Sequence, residues 1–166
     1  HNAAPRMLEG DLLRGRQRYQ EAAAAYTGAI ADMRDAKRSN WVVFYSRGIA
    51  YERSHRWDKA EADFKHALKL APDQPAVLNY LGYSWTEMGQ HLAEARAMIQ
   101  KAAESRPNDG AITDSLGWVM LRQGQTADAV STLERAVELE PEDSTINGHL
   151  GDAYWAAGRT LAAAYQ

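Results

Sequence analysis

The chain has 166 residues, 45% hydrophobic and 25% charged, the balance of a folded protein and enough length for one compact domain or a short solenoid. Its net charge of −3 supplies no basic field to draw nucleic acid, and no apolar run approaches the ~18–20 residues that a membrane span needs. The absence of cysteine is compatible with any compartment.

Five glycines set a period. Gly10, Gly48, Gly82, Gly117 and Gly151 are separated by 38, 34, 35 and 34 residues, a spacing that predicts an array of helical hairpins. The first repeat, residues 3–38, carries Gly10, Ala22, Tyr26 and Ala29 but no closing proline. It is degenerate, with Arg6 and Glu9 where apolar residues face a neighbour, which suits a polar terminal cap or a worn repeat of a longer array. The polar run from Arg34 to Asn40 then adds four residues to the usual period and predicts a longer or frayed connection.

The second repeat, residues 41–74, reads Gly48, Ala60, Phe64, Ala67, Pro72. The third, residues 75–109, reads Gly82, Ala95, Ile99, Ala102, Pro107, with one extra residue in Gln90-His91-Leu92-Ala93 that predicts a bulged turn. The fourth, residues 110–143, reads Gly117, Ala129, Leu133, Ala136, Pro141. The fifth, residues 144–166, has Gly151 and Ala163 and is truncated.

The physical roles follow. Apolar residues three and four apart put one stripe on each helix. Glycine and alanine at facing positions let two antiparallel helices approach, and large residues such as Trp85 and Ile99 fill the remaining volume. Pro72, Pro107 and Pro141 stand where a second helix stops, and Asp109 and Asp143 are placed to cap the next one. Gly89, Gly124 and Gly158 mark the turn inside each hairpin.

The residues around each glycine repeat as well: Leu78-x2-Leu81-Gly82-x2-Trp85, Leu116-Gly117-x2-Met120, Leu150-Gly151-x2-Tyr154, and Phe44-x2-Arg47-Gly48-x2-Tyr51 with Arg47 as the exception. With the alanine, aromatic and proline positions, this pattern resembles the tetratricopeptide repeat over about residues 3–166. The resemblance implies an all-α, right-handed α-solenoid of antiparallel helix hairpins, about four and a half repeats in a single array. Segments such as His149-Leu150-Gly151-Asp152-Ala153-Tyr154-Trp155 are similar to bacterial members, many of which act in envelope assembly, secretion or polysaccharide export, so cytoplasm and envelope both stay open.

Motifs for chemistry are missing. The histidines, His1, His55, His66, His91 and His149, form no H-E-x-x-H, and there is no phosphate-binding glycine loop. Glu138, Glu140, Glu142 and Asp143 read as a solvated turn rather than a metal site. Asp114, Ser115 and His149 contain the residue types of a hydrolytic set, but nothing suggests an oxyanion hole. The expectation is a protein that is not an enzyme and needs neither cofactor nor metal.

The remaining residues concern partners. By resemblance, the first helix of each repeat lines a concave groove. Four aligned positions per helix then face it: Val42, Tyr45, Ile49 and Glu52; Ala76, Asn79, Tyr83 and Thr86; Ala111, Asp114, Trp118 and Leu121; Thr145, Gly148, Asp152 and Trp155. The candidate partner-binding residues are Tyr45, Ile49, Asn79, Tyr83, Asp114, Trp118, Leu121, Arg122 and Trp155. Large aromatics that the hairpins do not need are candidate anchors, although Trp118 and Trp155 also suit packing between repeats. In peptide-binding members of the family an asparagine on this helix grips a peptide backbone, as an amide's donor and acceptor allow, and Asn79 stands at that place.

Co-chaperone members clamp a terminal carboxylate with cations, but the aligned pairs here are Tyr45/Ile49, Asn79/Tyr83 and Asp114/Trp118, so that ligand is not expected. The expected function is a non-catalytic scaffold binding a protein or peptide segment, without nucleic acid and without insertion into a membrane. The alternative is an assembly element. Leu161–Tyr165 would leave an apolar stripe open to self-association at the C-terminal end, and His1-Asn2 without an initiator Met suggests a cloned piece or a processed chain.

Overall fold

The computed structural model describes residues 2–35 and 37–164, with side chains through Arg159. Among the described residues there are nine α-helices, one 3₁₀ turn and no strand. The helices are α1 (Ala4–Gly15), α2 (Tyr19–Asp32), α3 (Trp41–Arg53), α4 (Trp57–Leu70), α5 (Pro75–Met88), α6 (Leu92–Ser105), α7 (Gly110–Arg122), α8 (Thr126–Leu139) and α9 (Ser144–Ala164). The chain divides into two compact units, His1–Val77 and Leu78–Gln166. None of the described helices is long and apolar enough to cross a membrane.

In the first unit α1 packs on α2, α2 on α3 and α3 on α4. In the second, α6 packs on α7, α7 on α8, α8 on α9, and α7 also reaches α9. Glycine sets the approach within each pair. A Cβ at Gly10 would lie 2.5 Å from the Tyr26 ring, at Gly48 2.6 Å from Phe64, at Gly82 2.7 Å from Ile99 and at Gly117 2.5 Å from Leu133. Those four large residues are fully buried, and alanines at 22, 60, 95 and 129 beside them are too.

Several local expectations have direct counterparts. The Asp109 carboxylate accepts the Ile112 N–H at 3.0 Å, and Asp143 accepts that of Ile146 at the same distance, so both cap the helices that follow. The bulged turn exists: Gly89 and His91 both take left-handed backbone angles (φ 67° and 48°), where the other hairpin turns use one such residue, Gln17, His55 or Gly124. The long polar connection after α2 is drawn in by a 3₁₀ turn at Arg38–Asn40, and the Asn40 side-chain oxygen accepts the Lys37 N–H at 2.6 Å.

Arg47 breaks the apolar template and is fully accommodated. Its guanidinium donates twice to Asp63 of α4, at 2.8 and 2.7 Å, and to Thr27 of α2 at 3.2 Å. Burial alone would lower the Arg47 pKa, but the hydrogen bonds and charge of Asp63 outweigh it and raise the value. The pair therefore joins three helices of the first unit.

Two expectations are corrected. Gly158 is not a turn: α9 runs through it from Ser144 to Ala164. Glycine permits a turn but does not impose one; packing against a returning helix does that at Gly89 and Gly124. A Cβ at Gly151 meets nothing within 4 Å among the described residues. Thr86, aligned with the groove, is fully buried, its hydroxyl donating back to the Gly82 carbonyl at 2.8 Å. The apolar stripe expected at Leu161–Tyr165 lies outside the described side chains.

Glycines on one template thus face different surroundings. Gly117→Leu is expected to overpack against Leu133 and cost about 1–3 kcal/mol, whereas Gly151→Ala should stabilise by up to about 1 kcal/mol through helix propensity. Urea unfolding of the two variants checks this, and equal losses at both positions would contradict it.

Candidate functional site

Polar and aromatic residues from three helices converge in the second unit. α5, α7 and α9 present one side toward a cleft of about 290 Å³. Asn79, Tyr80 and Tyr83 line it from α5, Asp114 and Ser115 from α7, and Thr145 from the first turn of α9. The period explains the convergence: Asn79 and Asp114 occupy equivalent places one repeat apart, so a helix surface that is polar once is polar again beside its neighbour.

Asp114 forms the floor. It is 5% exposed, and both its carboxylate oxygens face His149 Nδ1, at 2.8 and 3.0 Å. A carboxylate can only accept here, so Nδ1 carries the proton. The imidazole stacks on the Trp118 indole with centroids 4.1 Å apart and planes at 15°. The Tyr83 ring lies 6.3 Å from the same imidazole. A polar and aromatic chain thus runs from α7 into α9 and back to α5.

Tyr83 titrates well above the usual phenol range. Burial is the main cause, followed by the charge and hydrogen bond of Glu87 and the charge of Asp114. Its phenol stays neutral at ordinary pH. The Asn79 side-chain oxygen and the Trp118 Nε1 are buried without a hydrogen-bond partner. Each such group carries a desolvation cost of about 1–3 kcal/mol.

The other candidates are placed differently. Tyr45, in the first unit, rests between Trp41 and Phe64, with ring centroids at 5.7 and 6.2 Å. Ile49 is half-buried on the same helix. Leu121 is half-buried on α7, and the exposed Arg122 holds its guanidinium 5.9 Å from the Trp118 ring. Trp155 is 67% exposed, with the Arg159 guanidinium 5.2 Å from its ring. The structure therefore brings Asn79, Tyr83 and Asp114 into one cleft, while Trp118 stacks on the His149 that pairs with Asp114.

Sequence reasoning had no place in the cleft for Tyr80 or Ser115, gave Thr145 as groove-facing without naming it among the partner-binding candidates, and named His149 only with the hydrolytic residue types. The available signal was spacing: His149 follows Asp114 by 35 residues, one repeat. Ser115 does not join the pair as a nucleophile would, because its hydroxyl donates to the Ala111 carbonyl at 3.0 Å. No group of three or more metal-binding side chains occurs among the described residues.

The hairpins and their shared glycine approach define a class. Tetratricopeptide-repeat patterns match residues 41–74 and 115–166, together just over half of the chain. The chain belongs to the tetratricopeptide-repeat family. Among curated proteins it is similar to a tetratricopeptide-repeat-containing protein of Pseudomonas aeruginosa, 37% identical over 87 residues, which are 52% of this chain and 15% of that one. It thus matches only a small part of that relative's length.

Solved structures share the fold. MamA, residues 41 to the end, from Desulfovibrio magneticus superposes with a TM-score of 0.80 at 19% identity, over 98% of this chain and 89% of that one. YrrB, described as a tetratricopeptide protein with an unusual peptide-binding site, gives 0.72 at 22% identity, over 95% and 78%. These likenesses establish an all-α tetratricopeptide solenoid.

The Asp114–His149 pair is buried on both sides, so removing one partner strands the other. His149→Leu is expected to destabilise the second unit by about 3–5 kcal/mol, while Asp114→Leu/His149→Leu recovers most of the loss. Thermal and urea unfolding of the single and double variants measure the coupling. Equal stability of His149→Leu and the wild type would remove the pair from the structural core.

Proposed function

We propose that this chain is a protein-interaction scaffold that holds an extended partner segment in the cleft between α5, α7 and α9. The family and its structural neighbours support the scaffold role, and such scaffolds generally work without catalysis. The observation that carries the finer reading is the Asn79 carboxamide. It lines the cleft and its oxygen has no partner within the protein. Nothing in the hairpin packing requires an amide there, and a buried unpaired acceptor is a cost that an incoming backbone N–H removes.

Tyr83 and Tyr80 supply broad ring surface at little entropic cost, and Asp114 and Thr145 supply polar contacts that fix register. YrrB, with its peptide-binding site on the same fold, is consistent with a peptide ligand. Trp118 contributes indirectly, by stacking on His149 and through it holding Asp114. The ligand is taken to be protein, not nucleic acid, since the cleft offers no cation to a phosphate backbone.

A display selection of random peptides against the wild type and Asn79→Leu tests the proposal. A shared motif enriched by the wild type and lost in Asn79→Leu is expected, with both proteins equally folded. No enrichment by the wild type would overturn the docking reading.

A second reading, self-association, has its own observation. Leu8 and Leu12 stand one turn apart on α1 and are 61% and 57% exposed. Light scattering separates the two. A monomer at all concentrations is expected for a cleft binder, and dimers abolished by Leu8→Glu/Leu12→Glu would establish assembly instead.

A further inference from the structure

We infer that the cleft between α5, α7 and α9 takes a basic side chain, lysine or arginine, of the docked segment; this rests on the docking reading above and names the chemistry of its ligand. Charge complementarity carries it. Asp114 and Asp143 put two carboxylates on the cleft wall, and no lysine, arginine or histidine lines it. His149, which is not among the lining residues, meets Asp114 through Nδ1, at 2.8 and 3.0 Å from its two oxygens. The amino-terminal ends of α7 and α9 favour negative charge, but Asp109 and Asp143 already cap them.

The hydrogen-bonding inventory points the same way. Ser115 spends its hydroxyl proton on Ala111, and Tyr83 is held by Glu87. Asn79 Oδ1 is an acceptor without a donor. The torsion that orients this amide is soft, so a small rotation turns the oxygen toward the opening. The cleft thus wants donors, and an ammonium offers three and a guanidinium five.

The Tyr80 and Tyr83 rings add an aromatic wall, against which a cation is favoured over a neutral amide. The volume, about 290 Å³, lies at the lower end of ligand cavities and suits one long side chain rather than several residues.

The test is a titration of the full chain, followed by NMR at the Asn79 side-chain amide and the Thr145 backbone amide. The probes are Nα-acetyl-arginine amide, Nα-acetyl-lysine amide, and the neutral analogues Nα-acetyl-citrulline amide and Nα-acetyl-norleucine amide. Saturable shifts with arginine or lysine, and none with the neutral analogues, are expected. Affinity should fall at least tenfold in Asn79→Leu, rise severalfold in Asn79→Asp and weaken with added salt.

Citrulline binding as tightly as arginine, or no saturable binding by either basic probe, would overturn the inference. Its failure is separable from that of the docking reading. Peptides selected on the wild type without a lysine or arginine in their motif sink this inference alone. Basic probes that bind while no peptide is ever enriched sink the docking reading and leave the cleft's preference for cations.

Discussion

Four contacts between a glycine and a large buried side chain hold the hairpins together: Gly10 with Tyr26, Gly48 with Phe64, Gly82 with Ile99 and Gly117 with Leu133. Each is a close approach of two helix backbones, possible only because one helix offers no Cβ at the crossing. The large residue changes from ring to branched aliphatic while the glycine does not. Space is the constraint, and the shape that fills it is free to vary within limits. Everything else in each unit is hung on that approach: the buried alanines beside it, the turn that joins the pair, and the directions in which the outward surfaces of the helices point.

This is why the fold was legible. Small residues at a fixed period, prolines at helix ends and aspartates at helix starts are local requirements, and each is written in a residue type. The capping by Asp109 and Asp143 and the left-handed turn at Gly89 followed from such local chemistry. The misreading of Gly158 has the same root. A glycine records permission to turn, and the turn itself is enforced by a packed return helix.

The candidate site was only half legible, for a different reason. Asn79, Tyr83 and Asp114 were found because alignment of the repeats gives the outward positions of each first helix. Thr86 failed because such an alignment treats a helix face as flat, while a hydroxyl that bonds to its own preceding turn can be buried in the face beside it. His149 and Trp118 stack between α7 and α9, and no single repeat contains that contact. Polar residues one repeat apart can pair across neighbouring helices, so a repeat array has to be searched between repeats as well as within them.

The polar substitutions of the apolar template fall into two kinds, and the difference lies in who satisfies them. Arg47 sits at a template position for leucine, yet Asp63 and Thr27 accept from it and Phe44 and Tyr51 flank it; its charge is consumed inside the first unit. Asp114 is likewise answered by His149. Asn79 is not answered: the residue lines the cleft, and its buried side-chain oxygen has no hydrogen-bond partner. A buried group satisfied by the protein explains itself through stability, since breaking the pair costs more than the pair ever contributed. A group left unsatisfied contributes no stability; at Trp118 the ring's stacking on His149 accounts for the residue, and at Asn79 the proposed docking supplies the missing partner. On that criterion Asn79, in the second unit, is the residue on which the proposed docking rests, and the first unit's polar network belongs to the scaffold.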